Sequence, residues 1–259
     1  MTETWLNRSV FDSEIFDDRY NVYRRDRESN GFHASKNDGG VLIAVPKQIN
    51  SERLFSFESK CEDLWVCVEV ENVQGKSERL YIFAVYIPPP VEKHIFEHFI
   101  NNSSRVLESL DENIIVAGDF NLSSITWSLE PHGHLCAKYS NKYLQNLLTD
   151  FLSCNELNQL NQIKNSKNKM LDLVLSNINI VDIVSCPDPL TCVDPLHPPL
   201  VLSIDFTDPA PLVPNNTITK FCFHKADYEN IRKDLNEIDW REILAECLCV
   251  DDMVAVFMT

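Results

Sequence analysis

The segment Asn113–Asn121, which reads NIIVAGDFN, most constrains how this chain can fold. Its apolar, β-branched first half is typical of a buried strand, and we predict a strand over 113–117. Gly118 then allows a tight exit from the strand, where a Cβ would crowd the turn. Asp119 and Asn121 are two residues apart, so an extended backbone would direct both side chains to the same side. A core strand that ends in a carboxylate and an amide suits either an ordinary turn or an active site.

The rest of the first 207 residues predicts a sheet-rich domain with few helices. Further strands are predicted over 20–23, 41–45, 64–70, 80–87, 171–175, 178–184 and 200–206. Apolar residues at helical spacing predict helices over 91–110 and 139–152. Gly75 lies in a short polar stretch that predicts a hairpin between two of the strands. Many strands with few helices between them favour two packed sheets with helices outside over one doubly wound sheet.

The net charge of −16 bears directly on the function classes that are open to this chain. An acidic chain gains no affinity for nucleic acid from bulk electrostatics, so such binding needs a local basic patch or a metal held among carboxylates. No apolar run is long enough to cross a bilayer and no secretory leader follows Met1, so we expect an intracellular protein without a membrane partner. The nine cysteines have no zinc-type spacing, and we expect reduced, mostly buried thiols.

The composition changes after Phe206. Residues 1–207 carry the predicted strands and are expected to form one domain. A proline-rich stretch follows, and then an acidic, helix-prone segment. Residues 208–259 are therefore predicted to be a linker and the start of a further region.

Polar residues that suit metal and phosphate chemistry recur at predicted strand ends and in a proline-flanked loop. They are Glu3, Tyr86, Asp119, Asn121, Asp172, Asp194 and His197. Carboxylates with one histidine and no thiolate suit a hard cation such as Mg²⁺ or Mn²⁺, which orients water and neutralises charge on a phosphate. Taken one at a time, these residues also have ordinary explanations as a terminal acid, a core tyrosine, a capping acid or a loop histidine.

Two basic clusters are candidates for contacts with backbone phosphates. The first consists of Arg24, Arg25 and Arg27, and the second of Lys164, Lys167 and Lys169. Either cluster could also be an ordinary solvated surface, because charged side chains are common on protein surfaces.

Six motifs in order along the chain resemble the endonuclease/exonuclease/phosphatase superfamily. They are Thr2-Glu3-Thr4-Trp5-Leu6, the arginine-rich segment before Gly39-Gly40, Tyr86-x-Pro-Pro, Gly118-Asp119-Phe120-Asn121, Leu171-Asp172-Leu173-Val174-Leu175, and Asp194-x-x-His197-Pro-Pro-Leu. More narrowly, they look like the apurinic-type endonuclease domain of a Jockey-like non-LTR retrotransposon polyprotein. The resemblance covers Thr2 to about Phe206, and Phe221–Thr259 is similar to the linker before the reverse transcriptase of such polyproteins.

The resemblance implies an α/β (α+β) fold, namely a four-layer α/β/β/α sandwich of two mostly antiparallel sheets. It implies a divalent-metal-dependent phosphodiesterase, an endonuclease that nicks DNA with Mg²⁺ or Mn²⁺. It also implies DNA as the partner, an original fusion to a reverse transcriptase, and a nuclear location if the protein is functional. The sequence does not determine the oligomeric state.

The resemblance also assigns roles to the residues on the metal side of the site. Glu3 matches the metal-binding glutamate, and Asp119 matches the acid that positions or deprotonates the attacking water. Asn121 matches the amide that holds this acid and the phosphate. Tyr86 matches a tyrosine that contacts the phosphate. The three arginines are then the first candidates for substrate binding.

The remaining roles surround the histidine. His197 matches the residue that meets the scissile phosphate, and Asp172 matches the acid that orients its imidazole and raises its pKa. Asp194 matches a second acid beside the histidine, near the metal. Pro195 and Leu196 separate Asp194 from His197, whereas most of the superfamily has the acid directly before the histidine.

Two alternatives to a DNA endonuclease stay open. The family's first strand, with a metal-side asparagine, is expected before Glu3 and is missing from this sequence. The chain could therefore be an inactive, truncated remnant that acts, if at all, as a binding module. A phosphoesterase of the same fold that acts on lipid or inositol phosphates is the other alternative.

Overall fold

The computed structural model describes residues 1–27, 39–72, 75–110, 112–129, 135–138, 142–178, 180–204, 206–207 and 227–240. The chain divides into two compact units, Met1–Leu212 and Val213–Thr259. The predicted boundary after residue 207 adjoins residues outside the described set and stays a prediction.

The first unit contains the predicted strands and helices. Its strands are β1 (Tyr20–Arg25), β2 (Val41–Pro46), β3 (Ser51–Arg53), β4 (Glu62–Asn72), β5 (Ser77–Tyr86), β6 (Asn113–Asp119), β7 (Thr126–Leu129), β8 (Leu135–Lys138), β9 (Asn158–Gln159), β10 (Asp172–Ser176), β11 (Ile180–Ser185), β12 (Leu200–Ile204) and β13 (Phe206–Thr207). Its helices are α1 (Asp12–Ile15), α2 (Lys93–Leu107) and α3 (Lys142–Cys154), with a 3₁₀ turn at Phe55–Phe57. The sequence did not predict β3, β7, β8 and β9, because segments of two to four residues carry too little periodicity.

A seven-stranded sheet forms the centre of this unit. Its order is β13-β4-β5-β6-β10-β9, and β3 also pairs with β4. β4 and β5 form the predicted antiparallel hairpin. β5 and β6 are parallel, because α2 returns the chain to the same end of the sheet between them. β10 then runs antiparallel beside β6, so the sheet is mostly antiparallel, as predicted.

Alternate residues of the central strands enter two different cores, as the two-residue period of a strand requires. Trp65 of β4 packs into a core that includes Phe99 of α2. Val66, the next residue, enters a second core with Val41 of β2, and Leu202 of β12 packs against it. The layers that the described residues build are therefore helices, the central sheet, and the β1–β2 and β11–β12 strand pairs. This arrangement confirms the predicted α+β sandwich.

The first residues of the chain lie along β2. The amino group of Met1 donates to the Leu42 carbonyl at 2.8 Å, and Leu42 N–H donates back to the Met1 carbonyl at 2.9 Å. Thr2 forms an antiparallel bridge with Val41. The segment that carries Glu3 is thus held by backbone hydrogen bonds.

The expectation that the thiols are mostly buried is wrong for the cysteines that the structure describes. Cys61 and Cys67 are buried, Cys186 is half-buried, and three others are exposed: Cys136, Cys154 and Cys192. All six are free thiols, as predicted. The remaining three cysteines, at positions 222, 247 and 249, lie outside the described residues.

The second unit contains one helix among its described residues, α4 (Tyr228–Glu237). Asp227 caps it, with a carboxylate that accepts from Asn230 N–H at 3.2 Å. None of the helices in the described parts of the chain combines the length and apolar composition needed to cross a bilayer.

Gly118 is explained by strand packing, whereas the sequence suggested a turn. It lies inside β6, directly opposite Val85 of β5. A Cβ at this position would lie 1.9 Å from the Val85 carbonyl oxygen, which belongs to the backbone and cannot move aside cheaply. The glycine therefore allows the two parallel strands to approach closely just before Asp119.

Replacing Gly118 with alanine should destabilise the protein by about 2 kcal/mol or more, because β5 and β6 must separate to admit the methyl group. Urea unfolding of the wild type and Gly118→Ala would measure the loss. Ala117→Gly is the control in the same strand, since it removes a methyl group without a clash and should cost about 1 kcal/mol. Equal unfolding midpoints for Gly118→Ala and the wild type would contradict this explanation.

Candidate active site

Strand register aligns four polar residues in one row across the central sheet. Glu62 of β4 pairs with Tyr86 of β5, Tyr86 with Asp119 of β6, and Asp119 with Asp172 of β10. Their alternation with core residues places all four on the face toward the second core. The row lies where β5 and β6 end and where β4 and β10 begin. The sequence predicted three of its members, and Glu62 is the fourth.

The turn after β6 brings Asn121 back onto Asp119. Asp119 is fully buried, and its Oδ1 accepts from the Asn121 backbone N–H at 3.0 Å. The Asn121 amide donates to Asp119 Oδ2 at 2.6 Å and to the Ile87 carbonyl at 3.0 Å. Asn121 has a left-handed φ of 52°, so the expectation of an extended backbone here is wrong. The contact between the two side chains exists, but a turn produces it.

His197 lies between two carboxylates. Its Nδ1 is 3.2 and 3.1 Å from the two oxygens of Asp172, and its Nε2 is 3.8 Å from Asp119 Oδ2. Ligand atoms of these three residues all lie within 4.8 Å of one another, which is close enough to hold one metal ion. The loop before β12 thus joins the sheet residues in a compact group of two acids and one imidazole.

The environment raises the pKa values of both Asp119 and His197. Burial, and next the nearby charge of Asp172, raise the pKa of Asp119 to about 7 although His197 opposes the shift. The hydrogen bond to Asp172 raises the pKa of His197 to about 9, against the effect of burial. Near neutral pH, His197 therefore carries a proton, and Asp119 is close to its titration midpoint, where a general base works well.

Glu3 meets Tyr86 at the edge of this group. The Tyr86 hydroxyl donates a hydrogen bond to the Glu3 carboxylate. Burial and this acid strongly raise the pKa of Tyr86, so its hydroxyl stays a neutral donor. Glu3 lines the same pocket as Asp119 but is not part of the three-residue group. Its predicted role as a metal ligand stays a prediction.

Glu62 holds the residues on both sides of the segment 28–38. Its carboxylate accepts from Gly40 N–H at 2.6 Å and from Arg27 Nε at 2.8 Å. The Arg27 guanidinium also lies 5.9 Å from the centre of the Tyr86 ring. Glu62 is itself buried, and burial raises its pKa. It is therefore an internal anchor and not a solvated acid.

The two glycines beside Glu62 position the segment that carries Glu3. The Gly40 carbonyl accepts from Thr4 N–H at 3.3 Å, and the Gly39 carbonyl accepts from Trp5 N–H at 2.8 Å. Both glycines have left-handed φ values, 111° and 89°, and a Cβ on Gly39 would lie 2.4 Å from a Glu62 oxygen. The glycine pair Gly39-Gly40 is the sequence signal for this arrangement.

Two buried asparagines fix the backbone at Asp172 and next to His197. The sequence did not identify them. Asn161 donates to the Asp172 carbonyl at 2.7 Å, and Asn165 donates to the Leu196 carbonyl at 3.2 Å. Both side chains are almost completely buried. A single sequence gives no sign that these asparagines are buried, because asparagine is common in exposed turns.

The predicted arginines form ion pairs within the protein. Arg25 lies 2.7 Å from the buried carboxylate of Asp63, and Arg24 lies 3.3 Å from Asp26. Arg27 pairs with Glu62, and none of the three arginines lines the pocket beside Asp119. Their contact with phosphate stays a prediction, but the structure gives them an internal role.

Asp194 forms the corner of the turn that presents the histidine. Its carboxylate accepts from Leu196 N–H at 2.8 Å, and its carbonyl accepts from His197 N–H at 3.0 Å. The side chain is exposed and lies outside the three-residue group, although the residue lines the pocket. A metal-binding role for Asp194 stays a prediction.

A pocket of about 640 Å³ opens over the group. Its charged lining residues are Glu3, Asp119, Asp172, Asp188, Asp194 and His197. The described lining contains neither lysine nor arginine. Several carboxylates around one cavity repel one another, so the pocket favours a cation.

The comparisons with known proteins agree with the site. A family model described as Endonuclease-reverse transcriptase (Exo_endo_phos_2) matches residues 80–201. This range contains Tyr86, Asp119, Asp172 and His197, whereas Glu3 lies outside it. No curated protein sequence matches the chain.

Among solved structures, the chain is similar to the catalytic domain of APE2 from Xenopus laevis. The identity is 17% and the TM-score 0.52, over 79% of this chain and 82% of that one. It is also similar to the human Nocturnin catalytic domain, with 15% identity and a TM-score of 0.47 over 80% and 79% of the two chains. The first likeness shows a shared fold, and the second is too distant to add to it. Together with the family match, the fold supports the endonuclease/exonuclease/phosphatase superfamily.

Replacing Asp119 with asparagine should stabilise the protein at pH 8 when divalent metals are removed. Burial raises the pKa of Asp119 from 3.8 to about 7, so the folded state disfavours the ionised carboxylate. The wild type therefore loses stability as the pH rises from about 4 through about 7, and the variant does not. We expect a melting temperature about 2–8 °C higher for Asp119→Asn at pH 8, and a smaller difference at pH 5.

Thermal denaturation in EDTA between pH 5 and 8.5 would measure this difference. Asp150→Asn is the control, because Asp150 is an exposed aspartate on α3. A variant that is less stable than the wild type at every pH would show that the contacts of Asp119 outweigh the cost of its burial.

Proposed function

We propose that this chain is a divalent-metal-dependent phosphodiesterase that nicks DNA. The observation that carries the proposal is the convergence of Asp119, Asp172 and His197 within 4.8 Å at the end of the central sheet. Asn121 and Tyr86 complete the arrangement with one amide and one neutral hydroxyl. Asp119 offers a base and His197 an acid, and these are groups that phosphodiester hydrolysis requires.

The donor set fits a hard divalent cation such as Mg²⁺ or Mn²⁺. Carboxylate oxygens with one imidazole, and no thiolate within the group, suit such ions. Asp172 and Glu3, which line the same pocket, would hold the ion, and the charge of Glu3 also raises the pKa of Asp119. When bound, the cation supplies positive charge for the phosphate oxygens.

The side chains of this chain can then supply proton transfer and charge stabilisation. Asp119, fixed by Asn121, takes a proton from the attacking water. His197, protonated because of Asp172, donates to a phosphate oxygen as negative charge develops there. Tyr86 donates its hydroxyl hydrogen to Glu3 and so holds this carboxylate in place. The buried asparagines Asn161 and Asn165 keep the histidine and its acid in place.

A retroelement endonuclease is the finer form of the proposal. The name of the matching family pairs an endonuclease with a reverse transcriptase, and the order of the six motifs points the same way. On this proposal the chain was fused to a reverse transcriptase, acts on DNA and works in the nucleus.

Loss of the central groups should abolish nicking. Supercoiled plasmid incubated with Mg²⁺ or Mn²⁺ should be converted to the open circle by the wild type, and EDTA should stop the conversion. Asp119→Ala and His197→Ala should each lower the rate about 100-fold or more, because each removes a proton-transfer or charge-stabilising group. Asp150→Ala, at an exposed position of α3, should nick at the wild-type rate.

Three outcomes would contradict parts of the proposal. A folded wild type that shows no nicking with either metal, and binds neither metal in calorimetry, would indicate an inactive remnant. Hydrolysis of inositol phosphates without nicking would indicate a phosphoesterase with another substrate. Nicking that persists equally in both alanine variants would place the active site elsewhere.

A further inference from the structure

The segment Lys164–Lys169, here called the lysine turn, lies against the loop that carries His197. Ser166 N–H donates to the Pro195 carbonyl at 2.9 Å, and the Asn165 amide donates to the Leu196 carbonyl at 3.2 Å. These two bonds attach the turn to the residues directly before His197. The lysine turn therefore lies against the loop that also contributes Asp194 and His197 to the pocket.

The lysine turn is closed on the buried side chain of Asn165. Its Oδ1 accepts from Lys167 N–H at 3.0 Å and from Lys169 N–H at 2.9 Å. Asn165 N–H also donates to the Lys169 carbonyl at 2.8 Å, and Asn168 adopts a left-handed φ of 60°. One asparagine thus fixes both the turn and its attachment to the histidine loop.

The three lysines differ from the N-terminal arginines in their ion pairing. Lys164, Lys167 and Lys169 are exposed, and no ion pair is found for them within the described parts of the chain. The N-terminal arginines instead pair with carboxylates of their own domain, such as Asp63 and Glu62. The lysine turn therefore exposes its positive charge to solvent on a segment bonded to the histidine loop.

We propose that the lysine turn binds the backbone phosphates of a nucleic acid strand that lies across the histidine loop. This inference rests on the proposed function, because it supplies the contact surface for the same substrate. The pocket itself is acidic, so a polyanion that reaches His197 needs compensating charge next to the pocket. A small anion gains little from exposed lysines, whereas a nucleic acid gains from the counterions it releases at each contacted phosphate.

The salt dependence of DNA binding tests the proposal directly. Binding of a fluorescent duplex would be measured by anisotropy between 50 and 300 mM salt, in an Asp119→Asn background that does not cleave. Each lysine that contacts a phosphate contributes about 0.9 to the slope of log K against log salt. The slope is negative, and the double variant Lys167→Ala/Lys169→Ala should reduce its magnitude by about 1.8. Adding Lys164→Ala should reduce the magnitude by about 0.9 more.

The control is a double variant of equal charge, Lys47→Ala/Lys60→Ala. Both residues are exposed, and neither lines the pocket nor belongs to the lysine turn. Its slope should equal that of the parent, and Lys167→Arg/Lys169→Arg should retain the parent slope because the charge is kept. Equal slopes for the lysine-turn and control variants would overturn the proposal.

Further measurements separate this proposal from the proposed function. With Asp119 intact, the triple lysine variant should still hydrolyse a small phosphodiester, bis-p-nitrophenyl phosphate, while plasmid nicking falls. If the wild type hydrolyses neither substrate, the proposed function fails, but the slope change still supports a nucleic-acid surface. Lysine-dependent binding to anionic phosphatidylserine vesicles, with no effect on the DNA slope, would assign the turn to membranes and overturn the proposal.

Discussion

The register of four adjacent strands is the constraint on which the site depends. Glu62, Tyr86, Asp119 and Asp172 lie opposite one another although they are spread over 110 residues of the sequence. A shift of one residue in any of these strands would turn its polar side chain toward the helix-side core. Register is fixed here by two apolar cores, one on each face, and by the close approach at Gly118. The core that stabilises the fold therefore also aligns the site.

Burial of Asp119 lowers the stability of the folded state and also suits the proposed chemistry. Asp119 is fully buried next to Asp172, and both burial and the neighbouring charge disfavour its ionised form. The same two effects raise its pKa to about 7, where a carboxylate can accept a proton at neutral pH. Protonated His197 offsets part of the cost, and a bound cation would offset more. Under the proposed function, stability and reactivity are thus opposed at Asp119.

The sequence predicted the longer strands, the two long helices and most of the polar residues that meet at the sheet end. It could do so because strand periodicity, glycine and proline are local signals, and because the motifs lie at strand ends. It could not predict the internal contacts of Arg25, Glu62 or Asn165, because each partner lies at least 22 residues away or depends on a closed turn. The arginines therefore looked like a solvent-facing patch, although Arg25 and Arg27 pair with nearly buried acids.

A net charge of −16 is compatible with a nucleic acid substrate if the acidic and basic side chains lie in different parts of the surface. The arginines near β1 pair with carboxylates inside the protein, and the carboxylates of the pocket surround a place for a cation. The lysine turn keeps its charges exposed beside His197. Because surface charges are screened beyond about 8 Å at physiological salt, a phosphate bound at this turn interacts with its lysines more than with any acid that lies beyond that distance. Local arrangement, and not total charge, then decides what this surface attracts.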